Sequence, residues 1–300
     1  MDTTLNFTEK PSLGKAYFNV FTPGRHKFSG HENIPTLTAN LPNITEQPET
    51  IQAYREACGV GNDGNHPVLY PHVLTSAMHI HLLTDKRFPA SALGAVHSRI
   101  HIIQHRPIKE TETVDLQCAI SASRTLKAGL ETDITTTLRA DDACIWESVS
   151  SYIFRGKQFG TAGDPHPLSQ FDELGDPTLE AQWHVPANMG KRYAKITGDY
   201  NPIHVSKFLA KLFGFKRDIV HGMWCLCRCL AHIQDFSYDQ PVRLDAAFKG
   251  PIFMDSDCTM KGHEIDNGFM FNLFNQNNPR PSIVSVMRAA TENESLISND

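Results

Sequence analysis

Apolar positions along this chain recur with two periods, and the two periods alternate in blocks. Leu130-Glu131-Thr132-Asp133-Ile134-Thr135-Thr136-Thr137-Leu138 shows the period of two expected of a half-buried strand. Strand-like runs cover 100–108, 113–123, 129–139 and 143–155, and then 244–252, 257–265, 268–276 and 281–289. A strongly apolar helical stretch precedes each set, at 71–83 and at 221–233, and Arg228 is the only fully charged residue of the second. A helix with so little polar face is enclosed on most sides. Each half therefore predicts one long buried helix followed by antiparallel strands, an α+β arrangement with a curved sheet wrapped around the helix. Two such sheets joined edge to edge remove the free edges between them.

The halves read as distant copies of one unit. Tyr54-Arg55-Glu56-Ala57-Cys58-Gly59 parallels Tyr193-Ala194-Lys195-Ile196-Thr197-Gly198, and each copy places a Pro-Ile pair (Pro107-Ile108, Pro251-Ile252) at an expected bulge or bend of its first strand. Turn formers crowd the first 50 residues and the stretch from Gly160 to Pro177. The predicted organisation is an N-terminal arm at 1–50, a first repeat at 51–158, a linker at 159–184 and a second repeat at 185–292.

The copies differ where chemistry would lie. Asp199 follows Gly198, whereas Val60 follows Gly59; at the offset of His204 the first copy carries Asn65, with His66 next. Asp199 and His204 flank an Asn201-Pro202 turn, and such a carboxylate and imidazole can hold one water between them as general base and acid partners. The expected division makes Asp199 the main base, with His204 orienting the water and shuttling the proton. Pro202 fixes its own φ and pushes Asn201 towards extended or turn conformations. His204 is expected to open a helical segment, 205–213, that closes at Gly214. Gly222 begins the second buried helix, where unpaired amides suit a developing oxyanion and glycine permits close approach. His221 is read as structural, packed against the loop, and Asp63 as a turn former. Trp224, Phe208 and Phe213 are expected in the core or an acyl-tunnel wall.

Gly198-Asp199-Tyr200-Asn201-Pro202-Ile203-His204, with His221-Gly222-Met223 and Phe248-Lys249-Gly250-Pro251-Ile252, resembles the MaoC-like dehydratase family, which includes the (R)-specific enoyl-CoA hydratases (hydratase 2). The catalytic likeness spans roughly 185–290, and the first half resembles the noncatalytic repeat of two-repeat members. The resemblance implies a double hot-dog fold, thioester substrates on CoA or an acyl carrier protein (ACP), catalysis by Asp199 and His204 in the second repeat, and the Gly222 backbone N–H as oxyanion donor. Tyr193, Gly198, Asn201, Pro202, His221 and Met223 are the expected site-shaping residues. The implied activity is reversible hydration of enoyl thioesters to (R)-3-hydroxyacyl thioesters, a hydro-lyase reaction with no cofactor beyond the substrate's own CoA or phosphopantetheine. Rival readings are a thioester hydrolase on the same fold and a noncatalytic acyl-thioester binding protein.

Composition narrows the rest. The net charge of -5 and the absence of long basic runs argue against nucleic acid. No apolar run approaches the roughly 20 residues of a membrane span. The seven cysteines contain no CxxC pair and read as small buried residues of a reducing compartment, with the cytoplasm as expected location. His72, His79 and His81 lack a carboxylate at ligand spacing, so no metal is expected. Lys191, Arg192, Lys195, Lys207, Lys211, Lys216 and Arg217 form a local basic cluster, suited to CoA phosphates or an acidic carrier protein, or else simply a solvated face. One chain already makes a pseudo-dimer, and a homodimer of chains is compatible with that.

Overall fold

The computed structural model describes residues 3–13, 28, 32–92, 95–127, 129–155, 174–276 and 278–297. In chain order these form β1 (Thr4–Asn6), β2 (Thr38–Ile44), α1 (Pro48–Cys58), α2 (Tyr70–Leu83), β3 (Ala95–Gln104), β4 (Val114–Leu126), β5 (Gly129–Ala140) and β6 (Ala143–Arg155). The second half gives β7 (Leu179–Val185), α3 (Met189–Thr197), α4 (Pro202–Val205), α5 (Lys207–Leu212), α6 (Gly222–Leu230), β8 (Val242–Phe248), β9 (Ser256–Ile265), β10 (Gly268–Asn275) and β11 (Ile283–Ala289).

All eleven strands lie in one sheet, ordered β1-β2-β4-β5-β6-β3-β8-β11-β10-β9-β7. Read outward from its centre, the order is the same on both sides: β3-β6-β5-β4-β2 mirrors β8-β11-β10-β9-β7. The halves meet where β3 pairs antiparallel with β8, from Arg99 opposite Ala247 to Gln104 opposite Val242. At this seam His101 Nδ1 lies 2.6 Å from Asp245 Oδ1, and Arg243 binds the same carboxylate through Nε at 2.9 Å. The double hot-dog architecture expected of an α+β chain is present: two sheets fused edge to edge, each with its apolar helix.

Both central helices are enclosed because their sequences leave no polar stripe. Eleven of the fourteen α2 residues and seven of the nine α6 residues are buried, so neither helix has a solvent face. Indole donors lock them in place. Trp224 Nε1 of α6 donates to the Ala57 carbonyl of α1 at 2.8 Å, and Trp146 Nε1 of β6 donates to the Val68 carbonyl before α2 at 3.0 Å. On β4 the inward series Val114, Leu116, Cys118 and Ile120 is buried, while Asp115 and Gln117 face out.

Several expectations change. The arm at 1–50 is not wholly irregular: β2 pairs with β4, β1 runs parallel to β2, and α1 begins at Pro48. Likewise β7, pairing with β9, begins inside the stretch read as linker. The part of that stretch up to residue 173 lies outside the described residues. Of the three unanticipated strands, β2 and β7 are counterparts, and β1 extends the first repeat beyond β2. The Pro-Ile pairs do not lie within strands; β3 and β8 stop before them, since proline offers no N–H to a ladder. The Ile108 and Ile252 carbonyls instead accept the N–H groups of His66 and Val220 at 2.7 and 2.9 Å. Phe208 is 71% exposed, so it belongs neither to the core nor to a tunnel wall, whereas Trp224 is buried. The cysteines are free, and all but Cys144 are buried.

Candidate active site

Helices α1 and α3 end alike, on glycines in the left-handed conformation (Gly59 at φ 72°, Gly198 at φ 76°). The chain then rejoins its sheet through equivalent single bridges, Asn65 to Lys109 and Ile219 to Phe253. Asn65 stands six positions after Gly59; Ile219 stands twenty-one after Gly198. The bridges make His66 the counterpart of Val220, which corrects the alignment of Asn65 or His66 with His204. The segment bearing His204 has no counterpart in the first repeat. There the short loop is held by Arg55, the counterpart of Ala194, which donates to the Gly61 and Asn65 carbonyls and pairs with Glu110 at 2.8 Å and Asp63 at 3.3 Å.

In the second repeat the longer connection is built from capping residues. Asp199 N–H donates to Thr197 Oγ1 at 3.2 Å, and Asp199 Oδ1 accepts the Asn201 N–H at 3.1 Å. Asn201 Oδ1 in turn accepts the Ile203 N–H at 3.3 Å, starting α4 with Pro202 in its first turn. The single helix expected over 205–213 is two short ones. Ser206 is extended (φ −143°, ψ 118°) and its hydroxyl caps α5 by accepting the Leu209 N–H, a competition serine wins against continuing the helix. Gly214 follows α5 at φ 83°, in the expected capping role.

This loop carries His204 under Asp199 and against His221. His204 Nδ1 donates to the Ile219 carbonyl at 2.8 Å; a carbonyl only accepts, so the neutral ring leaves Nε2 bare. His221 Nε2 donates to the Asp199 carbonyl at 2.9 Å, and the two imidazoles stack with centroids 3.8 Å apart. Ligating atoms of Asp199, His204 and His221 all lie within 4.8 Å of one another, a span one water bridges. The trio has metal-like proximity, but each histidine commits one nitrogen to a carbonyl, and His221 Nε2 carries the proton that faces Asp199. Two open donors, Asp199 and His204 Nε2, are fewer than the three a catalytic zinc takes from protein.

The pair opens into a cavity of about 290 Å³ between the repeats. Of the nine residues singled out from sequence, Tyr193, Asp199, Asn201, Pro202, His204, His221, Gly222 and Met223 line it; Gly198 does not, and acts as the helix cap behind it. The first repeat contributes Val73, Ser76, Ile80 and Leu83 from one face of α2, with His72, His97 and Tyr152 beside them. Gly222 sits at the first position of α6, where amides lack intrahelical acceptors. A side chain there would press on the Phe248 ring, with Cβ 2.7 Å from Cδ1.

The cavity wall keeps imidazoles neutral. Burial lowers His204 below its ordinary value, the Asp199 charge offsetting part of it; burial and the adjoining His204 take His221 down to about 3. His72 falls to about 4, and His79 and His97 are also depressed, by burial first. His79 hydrogen-bonds Tyr152 at 3.0 Å and Thr136 at 2.8 Å, while His81 reaches the Ser12 carbonyl, so the three histidines of α2 do not converge.

Sequence reasoning missed several contributors. Gly190 of α3 has no space for a side chain because the His204 carbonyl and Met254 Cε press against it. The cations that line the cavity are Arg155 and Lys249, outside the cluster at 191–217. In that cluster Lys191, Arg192, Lys195, Lys207, Lys211 and Lys216 are solvent-exposed, and Arg217 pairs with Asp218 at 3.1 Å. No helix of the described residues is long and apolar enough to cross a membrane.

Residues 173–273 match the family model of the MaoC like domain. The chain is 29% identical over 257 residues, 86% of its own length and 91% of the relative's, to the 3-hydroxyacyl-thioester dehydratase X of Mycobacterium tuberculosis (strain ATCC 25618 / H37Rv). The crystal structure of HtdX from Mycobacterium tuberculosis matches with a TM-score of 0.73 at 27% identity, covering 84% of this chain and all 100% of that one. A MaoC-like dehydratase structure from Phytophthora capsici, 16% identical with a TM-score of 0.70 over 87% of this chain and 96% of its own, shares the fold. The chain has a two-repeat, double hot-dog fold whose second repeat matches the MaoC like domain, and it is similar over most of its length to a 3-hydroxyacyl-thioester dehydratase.

Proposed function

We propose that this protein is a hydro-lyase that interconverts trans-2-enoyl and (R)-3-hydroxyacyl thioesters, with the thiol carried by coenzyme A or an acyl carrier protein. The observation that carries the reading is the convergence of Asp199 and His204 on the lining of a cavity of about 290 Å³, with His221, the N-cap of α6, stacked on His204. The dehydratase relative supports the thioester chemistry; the stereochemistry rests on family likeness and the roles of the two side chains on geometry.

Both side chains present acceptors, so the water between them donates to each and turns a lone pair outward. In hydration its oxygen bonds to the β-carbon, and one acceptor takes its proton. Electron density moves to the thioester oxygen, where the Gly222 N–H and the α6 dipole stabilise it. The protonated acceptor then delivers that proton to the α-carbon. One proton leaves water and one reaches carbon through the same pair, so both new bonds form on one face of the double bond. Asp199, held by the Asn201 N–H, is the primary base, and His204 orients the water. Dehydration runs the same steps backwards.

The test is crotonyl-CoA hydration, followed by loss of enoyl-thioester absorbance alongside an assay for free thiol. Asp199→Asn should lower kcat by about 10²–10⁴-fold, the usual worth of a positioned acid-base group, with little change in KM. Thiol release without loss of the double bond would make the protein a hydrolase instead. An undiminished rate in Asp199→Asn would remove this site from the reaction.

A further inference from the structure

Away from the catalytic cavity, three side chains with ligating atoms meet on the outer face of the sheet, beside the seam between the repeats. His105 follows the last residue of β3, and Cys144 and Glu147 stand near the start of β6. Their ligating atoms all lie within 4.8 Å of one another. His105 Nε2 is 3.2 Å from Glu147 Oε1. No sequence spacing announces the trio, because Cys144 stands 39 positions after His105.

A β-bulge brings the thiol there. Strand β6 pairs Trp146 with Leu138 and Cys144 with Arg139, which leaves Ile145 as the extra residue. Ile145 and Trp146 are both buried in the hydrophobic core. Strict alternation would put Cys144, three positions before Glu147, on the opposite face of the strand. The bulge instead turns Cys144 to the side of Glu147. His105 reaches the same side, two positions after Ile103, which stands opposite Glu147 in the ladder. Its backbone N–H donates to the Ile145 carbonyl at 2.9 Å and so holds the bulge in place. The segment after β11 covers the carboxylate: the Leu296 N–H donates to Glu147 Oε1 at 3.2 Å and the Ser295 hydroxyl to Oε2 at 3.0 Å. The Glu147 side chain is 2% exposed, whereas that of His105 is 32% exposed and Cys144 is half-buried, so the trio is open to solvent on one side.

We propose that His105, Cys144 and Glu147 form a zinc site, separate from the catalytic pair, with water at the fourth position. Thiolate, imidazole and carboxylate are the three ligand types zinc takes from proteins, and the trio supplies one of each. Nitrogen and oxygen ligands about 2.0 Å from a tetrahedral ion stand about 3.3 Å apart, close to the 3.2 Å between His105 Nε2 and Glu147 Oε1. The ion takes the place of the hydrogen that this pair shares. The catalytic trio lacks that provision, because His221 Nε2 faces a backbone carbonyl, whereas His105 Nε2 faces a carboxylate that itself binds the ion. Each carboxylate oxygen has two lone pairs, so Glu147 ligates while it still accepts from Ser295 and Leu296. Those two donors orient the carboxylate from behind, as outer partners of metal ligands do. The ion then fastens the C-terminal segment of the second repeat to the first.

The experiment takes untagged full-length protein, strips it with a chelator under reducing conditions and titrates it with Zn²⁺ against a chromogenic chelator. The expected result is one tight equivalent per chain. Co²⁺ in its place should give a thiolate-to-cobalt charge-transfer band. Cys144→Ser should abolish that band and weaken zinc by more than about a hundredfold, the upper end of what losing an outer partner costs. Ser295→Ala, which removes such a partner, should weaken it about tenfold. Asp199→Asn should keep the equivalent unchanged. Saturating Zn²⁺ should raise the urea midpoint of the unaltered protein and not that of Cys144→Ser, whose own cooperative transition shows that it folds. No bound zinc, an equivalent of undiminished affinity in Cys144→Ser, or one lost with Asp199→Asn would overturn the proposal and leave His105 and Glu147 as an ion pair only.

Discussion

Buried neutral imidazoles should make this protein acid-sensitive well above the carboxylate range. His72 and His221, 8% and 3% exposed, titrate at about 4 and about 3 in the folded chain against 6.5 unfolded. The unfolded state therefore binds more protons than the native state below pH 6.5, and stability falls as pH falls. Each residue contributes a loss of about 1.4 kcal/mol per pH unit below that point. At pH 5 the two together cost about 4 kcal/mol, a large part of the typical 5–15 kcal/mol of a domain. His79, His97 and His204 shift in the same direction and can only steepen the slope. His66 and His232, also lowered by burial, act in the same direction, whereas the following groups fall outside this window. Asp245 is held low by His101 and Arg243, and Glu294 by Arg288, so their contribution is present above the ordinary carboxylate range and is lost only on further acidification. His105 is raised to about 9 by Cys144 and Glu147; its contribution is complete below 6.5 and is lost on the alkaline side. Urea unfolding at steps from pH 7.5 to 5 measures the slope. It should reach at least about 2.8 kcal/mol per pH unit, two protons' worth from His72 and His221 alone, and His72→Leu should lower it by about 1.4. A wild-type slope below one proton's worth over pH 5–6 would show that these rings are not held neutral, and with it the electrostatic description of the cavity would fail.

Three further outcomes follow from the site. Gly222→Ala puts a Cβ 2.7–2.8 Å from two Phe248 ring carbons and should cut kcat for crotonyl-CoA by about a hundredfold, as losing one oxyanion donor does; Phe248→Leu in the same chain should restore most of the rate. Gly190→Ala drives a methyl into the His204 carbonyl and Met254, so it should destabilise the fold by about 1–3 kcal/mol in urea titrations and also lower kcat, because α3 and the catalytic loop cannot both keep their places. The kcat/KM profile should stay level on acidification through 6.5 and break only below it, since burial lowers His204 and its Nε2 must be bare; a break above 6.5 would contradict that assignment.

What the chain discloses before folding depends on how local each cause is. Strands β4, β5, β6, β9 and β10 were legible because alternation is written into adjacent residues, and α2 and α6 because a helix without a polar face can only be interior. Strands β2 and β7 were not: each is short, sits among turn formers, and owes its pairing to a partner strand far along the chain, β4 in one case and β9 in the other. The same distinction divides the site. Asp199, Asn201, Pro202 and His204 lie within six residues and shape one another through side chain-to-backbone bonds, so the local sequence carries the whole device. His72, His97 and Tyr152 reach the cavity only because the two sheets fuse at β3 and β8, and Gly190 matters only because a carbonyl fourteen residues on comes to rest against it. The misalignment of His66 with His204 has the same root. Counting along the chain from Gly59 and Gly198 assumes loops of one length, whereas the second repeat inserts α4 and α5, and with them its histidine, between cap and bridge. On this reading the acid-base pair is confined to one repeat because the other's loop is too short to carry it. Arg55, which ties that short loop to its own helix, is what such a loop needs in place of a catalytic segment.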